Sequence, residues 1–385
     1  MIYFDNAATT MPKPPEVVRA VTDALQSFGG VGRGVHAPAL TADSAVYQAR
    51  CSIAQLLGAP SASQVAFACN ATEALNTAIC GLLSPGDHAV TTAASHNSVL
   101  RPLYRLRDEG RIALNVAPVG PDGALDYDAF DALFRADTRM AVVTHASNLT
   151  GDVYDVGRMA RIAHRHGALI VVDAAQTAGT FPVDMGAMDL DVLAFTGHKG
   201  LFGPQGTGGL CVAEGVEIRP LKVGGSGVRS FDERHPVFMP ERLEAGTLNA
   251  HGIAGLGAGV GFILDKGLDA VSRHDLSLAA RFRDGANSIP GVRVLGGGAD
   301  DHCAIVALNA GDCDSGLIAR RLDDDFGICT RSGAHCAPLM HRALGTEEQG
   351  AVRFSFSYFN TDEEVDVALD ALERITAEEL SYCIL

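Results

Sequence analysis

ALIVVD, residues 168–173, sets four consecutive aliphatic side chains ahead of a terminal carboxylate. The run is short, rich in β-branched residues and apolar on both faces, the pattern of a strand buried inside a helix-covered parallel sheet. Asp173 then stands at the end of such a strand, where a low dielectric calls for a cationic partner. Outward from this run, MAVVTH (140–145), DVLAF (191–195), HAVTT (88–92), QVAFA (64–68) and GGLCV (208–212) read as further buried strands. ATEALNTAICGLL (71–83) and DVGRMARIAHRHG (155–167), lying between them, carry helical spacing. Alternation of this kind predicts the α/β class with a mainly parallel central sheet in a large domain.

The pattern changes downstream. GGSGVRSFDERHPVFMPERLEAGTLN (224–249) reads as a loop long enough to be functional. IAGLGAGVGFILDKG (253–267) reads as a helix whose glycines at 255, 257, 259 and 261 allow close packing; no strand precedes them, and their spacing is not that of a dinucleotide loop. The remainder reads as a smaller α+β domain. The expected division is a large domain over 14–258 and a small one formed by 1–13 with 259–385.

A formal charge of −16 over 385 residues argues against nucleic acid or an anionic membrane as partner. Nine cysteines with no CxxC pair indicate a reducing compartment instead of a disulfide framework. MIYFDNAATT has no basic or apolar leader, and no apolar run approaches the roughly 18 residues of a membrane span, so a cytoplasmic location is expected. Cys383 in SYCIL is third from the end, where a prenylation box needs it fourth, and reads as part of a frayed terminus.

Ligand sites in open α/β sheets form beyond the carboxyl ends of the strands. Those ends carry Cys69-Asn70-Ala71-Thr72-Glu73 opening a helix, Ser95-His96-Asn97, Ser147-Asn148, Asp173 with Gln176, and Thr196-Gly197-His198-Lys199. The helix start reads either as an anion site or as an ordinary N-cap. Lys199 is conspicuous because the chain has only Lys13, Lys199, Lys222 and Lys266 among 30 basic residues. The set asks for a ligand with an anionic end, an aromatic ring, a basic ring nitrogen and an aldehyde, which is pyridoxal 5'-phosphate. In RSGAHCAP (331–338), Cys336 lies among turn-formers with Arg331, His335 and His341 as cations able to favour a thiolate, so it reads as displayed and not packed.

DNAATT (5–10), ATEALN (71–76), SHNSV (95–99), VDAAQTAG (172–179), TGHKGLFGPQGTG (196–208), EAGTLN (244–249) and RSGAHCAP follow in order along nearly the whole chain. Together they resemble the cysteine desulfurase and selenocysteine lyase branch of the class V aminotransferase family. The resemblance implies the fold type I architecture of pyridoxal-phosphate-dependent transferases and a homodimer. By it, Lys199 would bind the cofactor covalently and shuttle a proton, Asp173 would pair with the ring nitrogen, and Gln176 with the phenolate oxygen. His96 would stack on the ring and take part in catalysis, and Asn148 would face the cofactor. Thr72, Thr196 and His198 would hold the phosphate, with Glu73 in the same cofactor set and Thr247 reaching across from a partner subunit. Arg353, in VRFSFSYFNT, would clamp the substrate carboxylate, a task suited to a guanidinium fork. Asn6, Ala7 and His36 belong to the expected substrate side, with the role of Arg33 left open.

The implied reaction converts L-cysteine to L-alanine, with the thiolate of Cys336 taking the sulfur as a persulfide for a sulfur-acceptor protein, as in iron–sulfur cluster assembly. One position departs from the branch: Ala334 replaces the first histidine of Gly-His-His-Cys, which leaves L-selenocysteine open as substrate. An aminotransferase or another lyase on the same cofactor would keep Lys199 and Asp173 but has no use for Cys336. Zinc on Cys329, His335, Cys336 and His341 is disfavoured because their spacing is no recognised knuckle, and no metal is expected.

Overall fold

The structure, a computed structural model, describes residues 1–32 and 34–382, so the expectations attached to Arg33 and Cys383 lie outside the described residues. Its centre is a seven-stranded sheet in the order β2-β9-β8-β7-β5-β3-β4. The strands are β2 (Val65–Ala68), β3 (His88–Thr92), β4 (Ala113–Ala117), β5 (Thr138–Thr144), β7 (Leu169–Asp173), β8 (Val192–Thr196) and β9 (Gly208–Val212). β4, β3, β5, β7 and β8 are parallel neighbours, and β9 runs antiparallel to both β8 and β2. All six strands expected from apolar runs are present. The seventh, β4, was missed because ALNVA is half-exposed at the sheet edge and carries Asn115 in its middle.

Helices α3 (Ala71–Leu82), α4 (Asn97–Asp108) and α6 (Val156–Arg165) leave the carboxyl side of the sheet and return across its faces. Their starts are specified locally: Asn70, His96 and Asp155 each accept a backbone N–H of the first turn. α7 (Ala250–Lys266) packs between α1 (Pro15–Ser27) and α2 (Ala37–Leu57). The small-residue reading of α7 holds, since a Cβ on Gly255 would stand 2.6 Å from Val21 and one on Gly257 would stand 3.0 Å from Ala49.

The division expected between residues 258 and 259 falls inside α7, which continues unbroken to Lys266 before Gly267, at φ 82°, ends it and opens α8 (Leu268–Asn287). Beyond that glycine lies a second sheet, β10-β12-β15-β14, formed by Val292–Leu295, Ile305–Ala310, Ala351–Ser355 and Arg331–Gly333. It packs with α8, α9 (Ser315–Phe326) and α11 (Asp362–Tyr382) around Phe4, Phe282, Phe354 and Phe356. The N-terminus joins this second core: β1 (Ile2–Tyr3) pairs in parallel with β13 (Ile328–Cys329), and Asp5 bridges to Ser355. Two short strands, β6 (Asp152–Val153) and β11 (Asp301–His302), pair antiparallel and link the two sheets' surroundings. No helix among the described residues is long and apolar enough to cross a membrane.

Candidate active site

The carboxyl ends of β5, β7 and β8 and the starts of α3 and α4 meet at one cavity, lined by Thr72, His96, Asn148, Asp173, Gln176, Thr196, His198 and Lys199. Eight residues expected around a cofactor are thus brought together from segments more than a hundred positions apart. Asp173 is buried and accepts the N–H of Ala175 at 3.0 Å. Burial raises its pKa, while the charge of Lys199 opposes the rise. Lys199 is half-buried; desolvation, followed by the nearby charge of Arg353, lowers its pKa to about 8. It therefore gives up its proton more readily than an ordinary surface lysine does.

The turn that carries Lys199 is held from the N-terminal segment. The carbonyl of His198 accepts from Thr10 N at 3.1 Å, Thr9 Oγ1 at 3.1 Å and Lys13 Nζ at 2.8 Å, and Thr10 Oγ1 donates to the carbonyl of Lys199 at 3.1 Å. Gln176 Nε2 donates to Ala7 O at 3.4 Å. These contacts tie residues 7–13, expected to lie with the small domain, to the floor of the cavity.

Both histidines of the cavity are shifted toward the neutral form. Burial, then the charge of Lys199, lowers His96 and His198 to about 4 each. His96 Nδ1 accepts the N–H of Ser98 at 3.0 Å, which leaves the ring proton on Nε2. Thr72 Oγ1 is bonded to Ser98 Oγ at 2.8 Å. Asn148 Oδ1, Thr196 Oγ1 and His198 Nδ1 are buried with no partner. Three orphaned polar atoms in one cavity, beside the free N–H groups of a helix start and opposite a buried acid, can satisfy a polar ligand that is anionic at one end and cationic at the other.

Arg353, at the centre of β15, reaches the same place from the small sheet. It is 1% exposed, donating through Nη1 to Asn148 O at 2.8 Å and through Nη2 to Asp5 Oδ1 at 3.0 Å, while Nε is buried without a partner. Three of its five N–H donors therefore remain for a ligand.

Cys336 follows β14 in a turn before α10 (Pro338–Leu344) and is part-exposed, as its flanking residues suggested. Its carbonyl accepts from Asn97 N at 2.9 Å, and the preceding carbonyl, of His335, accepts from Asn148 Nδ2 at 2.6 Å. The expected cationic histidines are corrected by their surroundings. His335 is 4% exposed and lowered to about 3, by burial and then by Arg353, and burial also lowers His341. Arg331 is the cation that remains, exposed on β14 and paired in register with Arg353; its charge bears on Lys199, His96 and His335. Ala334 is exposed, so the departure from Gly-His-His-Cys lies on the solvent side of the loop.

Several expected residues lie elsewhere. Glu73 turns back to accept Cys69 N at 2.6 Å and pairs with Lys222, completing the cap of α3 outside the cavity. Asn6 is spent on joining the N-terminal segment to the small sheet, donating to Ser355 O at 2.9 Å and Asn360 Oδ1 at 3.1 Å. His36 is exposed ahead of α2, beside Gly29 and Gly34. Thr247 does not line the cavity of its own chain; its loop is anchored by a buried pair in which Arg50 donates to Glu244 at 2.7 and 2.8 Å. Asp5, in DNAATT, and Asn97, in Ser95-His96-Asn97, receive no role from the sequence, because each acts through a partner distant in the chain. Among the described residues no group of three or more His, Cys, Asp or Glu is arranged to hold a metal ion.

A fold of this kind with a half-buried lysine and a buried acid at adjacent strand ends defines a class, and comparison with known proteins agrees with it. The chain matches the class-V aminotransferase family over residues 2–368 and belongs to that family. It is 36% identical to a probable cysteine desulfurase of Methanothermobacter thermautotrophicus, over 97% of this chain and 94% of that one. With a cysteine desulfurase of Escherichia coli K12 it shares 31% identity over 97% and 93% of the two chains. Its structure superimposes on the apo cysteine desulfurase from Thermococcus onnurineus NA1 with a TM-score of 0.92 at 34% identity, covering 98% and 95% of the chains. On the cysteine desulfurase CsdA from Escherichia coli the TM-score is 0.87 at 31% identity, covering 98% and 94%. The architecture is the fold type I arrangement that the motifs implied.

Proposed function

We propose that this protein is a pyridoxal-phosphate-dependent cysteine desulfurase that converts L-cysteine to L-alanine and keeps the sulfur as a persulfide on Cys336. The observation that carries this reading is the seating of the Cys336 loop on the Lys199 cavity through Asn97 and Asn148. The backbone of a loop that carries a nucleophile from one sheet is thereby joined to the elements that line the cavity of the amine and the acid at the other.

The orphaned Asn148 Oδ1, Thr196 Oγ1 and His198 Nδ1, with the start of α3, fit the cofactor's polar groups. When bound, pyridoxal phosphate supplies an aldehyde for an amine and a ring that withdraws electrons from the substrate's Cα. Asp173 would face the ring nitrogen and be kept ionised by it. Thr72, Thr196 and His198 would hold the phosphate, Gln176 the phenolate oxygen, and His96 would lie against the ring. Lys199, with its pKa near 8, would take the aldehyde and afterwards carry a proton at Cα. Arg353 would orient the substrate carboxylate with its unused donors.

The Cys336 thiolate attacks the substrate sulfur; a sulfur–sulfur bond forms as the substrate's carbon–sulfur bond breaks. In sum, the Cys336 thiol and L-cysteine give the Cys336 persulfide and L-alanine, balanced without an outside oxidant. The same reading includes a sulfur-acceptor protein, iron–sulfur cluster assembly as the consuming process, and a cytoplasmic location. It also includes a homodimer in which Thr247 serves the partner's cofactor. Exposed Val18 and Leu25 on α1, Leu40 and Tyr47 on α2, and Val223 and Phe231 nearby give such a dimer an apolar surface.

Selenocysteine lyase activity is a second reading, favoured by the neutrality of His335 and His341, because a selenolate leaves with less need of an acid beside the loop. The test is anaerobic turnover of the yellow holoenzyme with L-cysteine and with L-selenocysteine, measuring alanine, alongside Cys336→Ala. The primary reading predicts alanine from cysteine and its loss in the variant with colour retained. Alanine from selenocysteine alone, undiminished in the variant, would replace it with the second.

A further inference from the structure

His335 and Cys336 lie at φ 49° and 56°, the only two successive non-glycine residues with positive φ among the described residues. Such a pair persists only where its surroundings over-determine it. Two long-range hydrogen bonds do so. Asn97 N holds the carbonyl of Cys336 at 2.9 Å, and Asn148 Nδ2 holds that of His335 at 2.6 Å across 187 positions of sequence. Because a carbonyl only accepts, this contact fixes the orientation of the Asn148 amide.

The mount of Asn148 is itself rigid. Ser147 Oγ accepts Leu149 N at 3.2 Å and Thr150 N at 3.1 Å, Gly151 N donates to Ser147 O at 3.0 Å, and Ser147 N donates to Asp152 O at 2.9 Å. Ser147, Thr150 and Asp152 are fully buried. From this turn the main-chain carbonyl of Asn148 also receives Arg353 Nη1 at 2.8 Å. A single residue thus suspends the cysteine loop by its side chain and the guanidinium by its backbone.

We propose that Asn148 is the positioning residue of the Cys336 loop, setting the distance between nucleophile and carboxylate clamp in addition to facing the cavity. The kinetic part rests on the desulfurase reading; the loop part does not. The two supports are separable, since replacing the side chain leaves the carbonyl that holds Arg353.

The experiment compares wild-type holoenzyme with Asn148→Asp, which keeps the size and removes the donor, and with Asn148→Ala, which removes it without adding charge. Amide exchange over residues 333–338 and the rate of Cys336 alkylation by iodoacetamide are read without substrate. Both should rise several-fold. With L-cysteine, kcat should fall about tenfold or more, while in Asn148→Asp, which keeps the oxygen that faces the cavity, KM and the spectral response to L-alanine change less than about twofold. Unchanged exchange and alkylation in both variants would overturn the proposal, whatever the loss of turnover. If wild type makes no alanine at all, the desulfurase reading fails, while faster exchange and alkylation in the variants would still uphold the loop assignment.

Discussion

The cavity at the end of the large sheet and the loop that covers it are built by opposite means. Lys199, Asp173, His96 and His198 stand at strand ends or helix starts, and burial shifts each of them toward its neutral form. The Cys336 loop has little regular structure and a strained backbone, and contacts from the other sheet hold it in place. The first region derives its chemistry from desolvation on a rigid frame, the second from long-range restraint. A desulfurase needs both: a pre-set amine and acid for the cofactor, and a nucleophile that can reach substrate and then hand its sulfur outward.

Replacing a group of the first region should have the largest effect. Lys199→Ala should lower alanine formation by about 10³-fold or more and shift the visible absorbance of the bound cofactor. Retained absorbance and rate would break the assignment. Cys336→Ala should sharpen the contrast by leaving that absorbance in place while persulfide formation is lost; loss of colour would place Cys336 in the first region after all.

Arg353, shared by both regions, should show its effect mainly in KM. Arg353→Lys keeps the charge but loses the fork, and KM for L-cysteine should rise about tenfold with a smaller change in kcat. An unchanged KM would remove Arg353 from the substrate.

The smallest effect concerns pH. His96 and His198, held near 4, and His335, near 3, stay neutral in the fold while they protonate at their ordinary value of about 6.5 when unfolded. Between these values the unfolded chain binds more protons, so their stability contribution is complete above pH about 6.5 and is lost as pH falls toward 4. The urea midpoint of the protein should therefore drop between pH 7 and 4.5, and His335→Gln should flatten part of that slope. A flat profile in wild type would show that these imidazoles are not held neutral.

The same contrast explains what the sequence made legible. Runs such as ALIVVD and DVLAF announce buried strands by composition alone, and the reactive groups follow at their ends. The edge strand ALNVA gives no such signal because half of it faces solvent. The loop motif identified Cys336, but nothing local says that His335 and His341 are buried, since the surfaces covering them come from other parts of the chain. The resemblance places Asn6 and Glu73 at ligands because both lie inside its motifs, DNAATT and ATEALN. Tertiary hydrogen bonds to Ser355 and to Cys69 N occupy them instead.

The most direct test of the joined site is mass spectrometry of the Cys336 peptide after a single anaerobic turnover of the holoenzyme with L-cysteine. The desulfurase reading predicts alanine in the same amount as the Cys336 peptide that gains the mass of one sulfur atom. Alanine without that adduct, or with the sulfur on Cys69 or another cysteine, would contradict it.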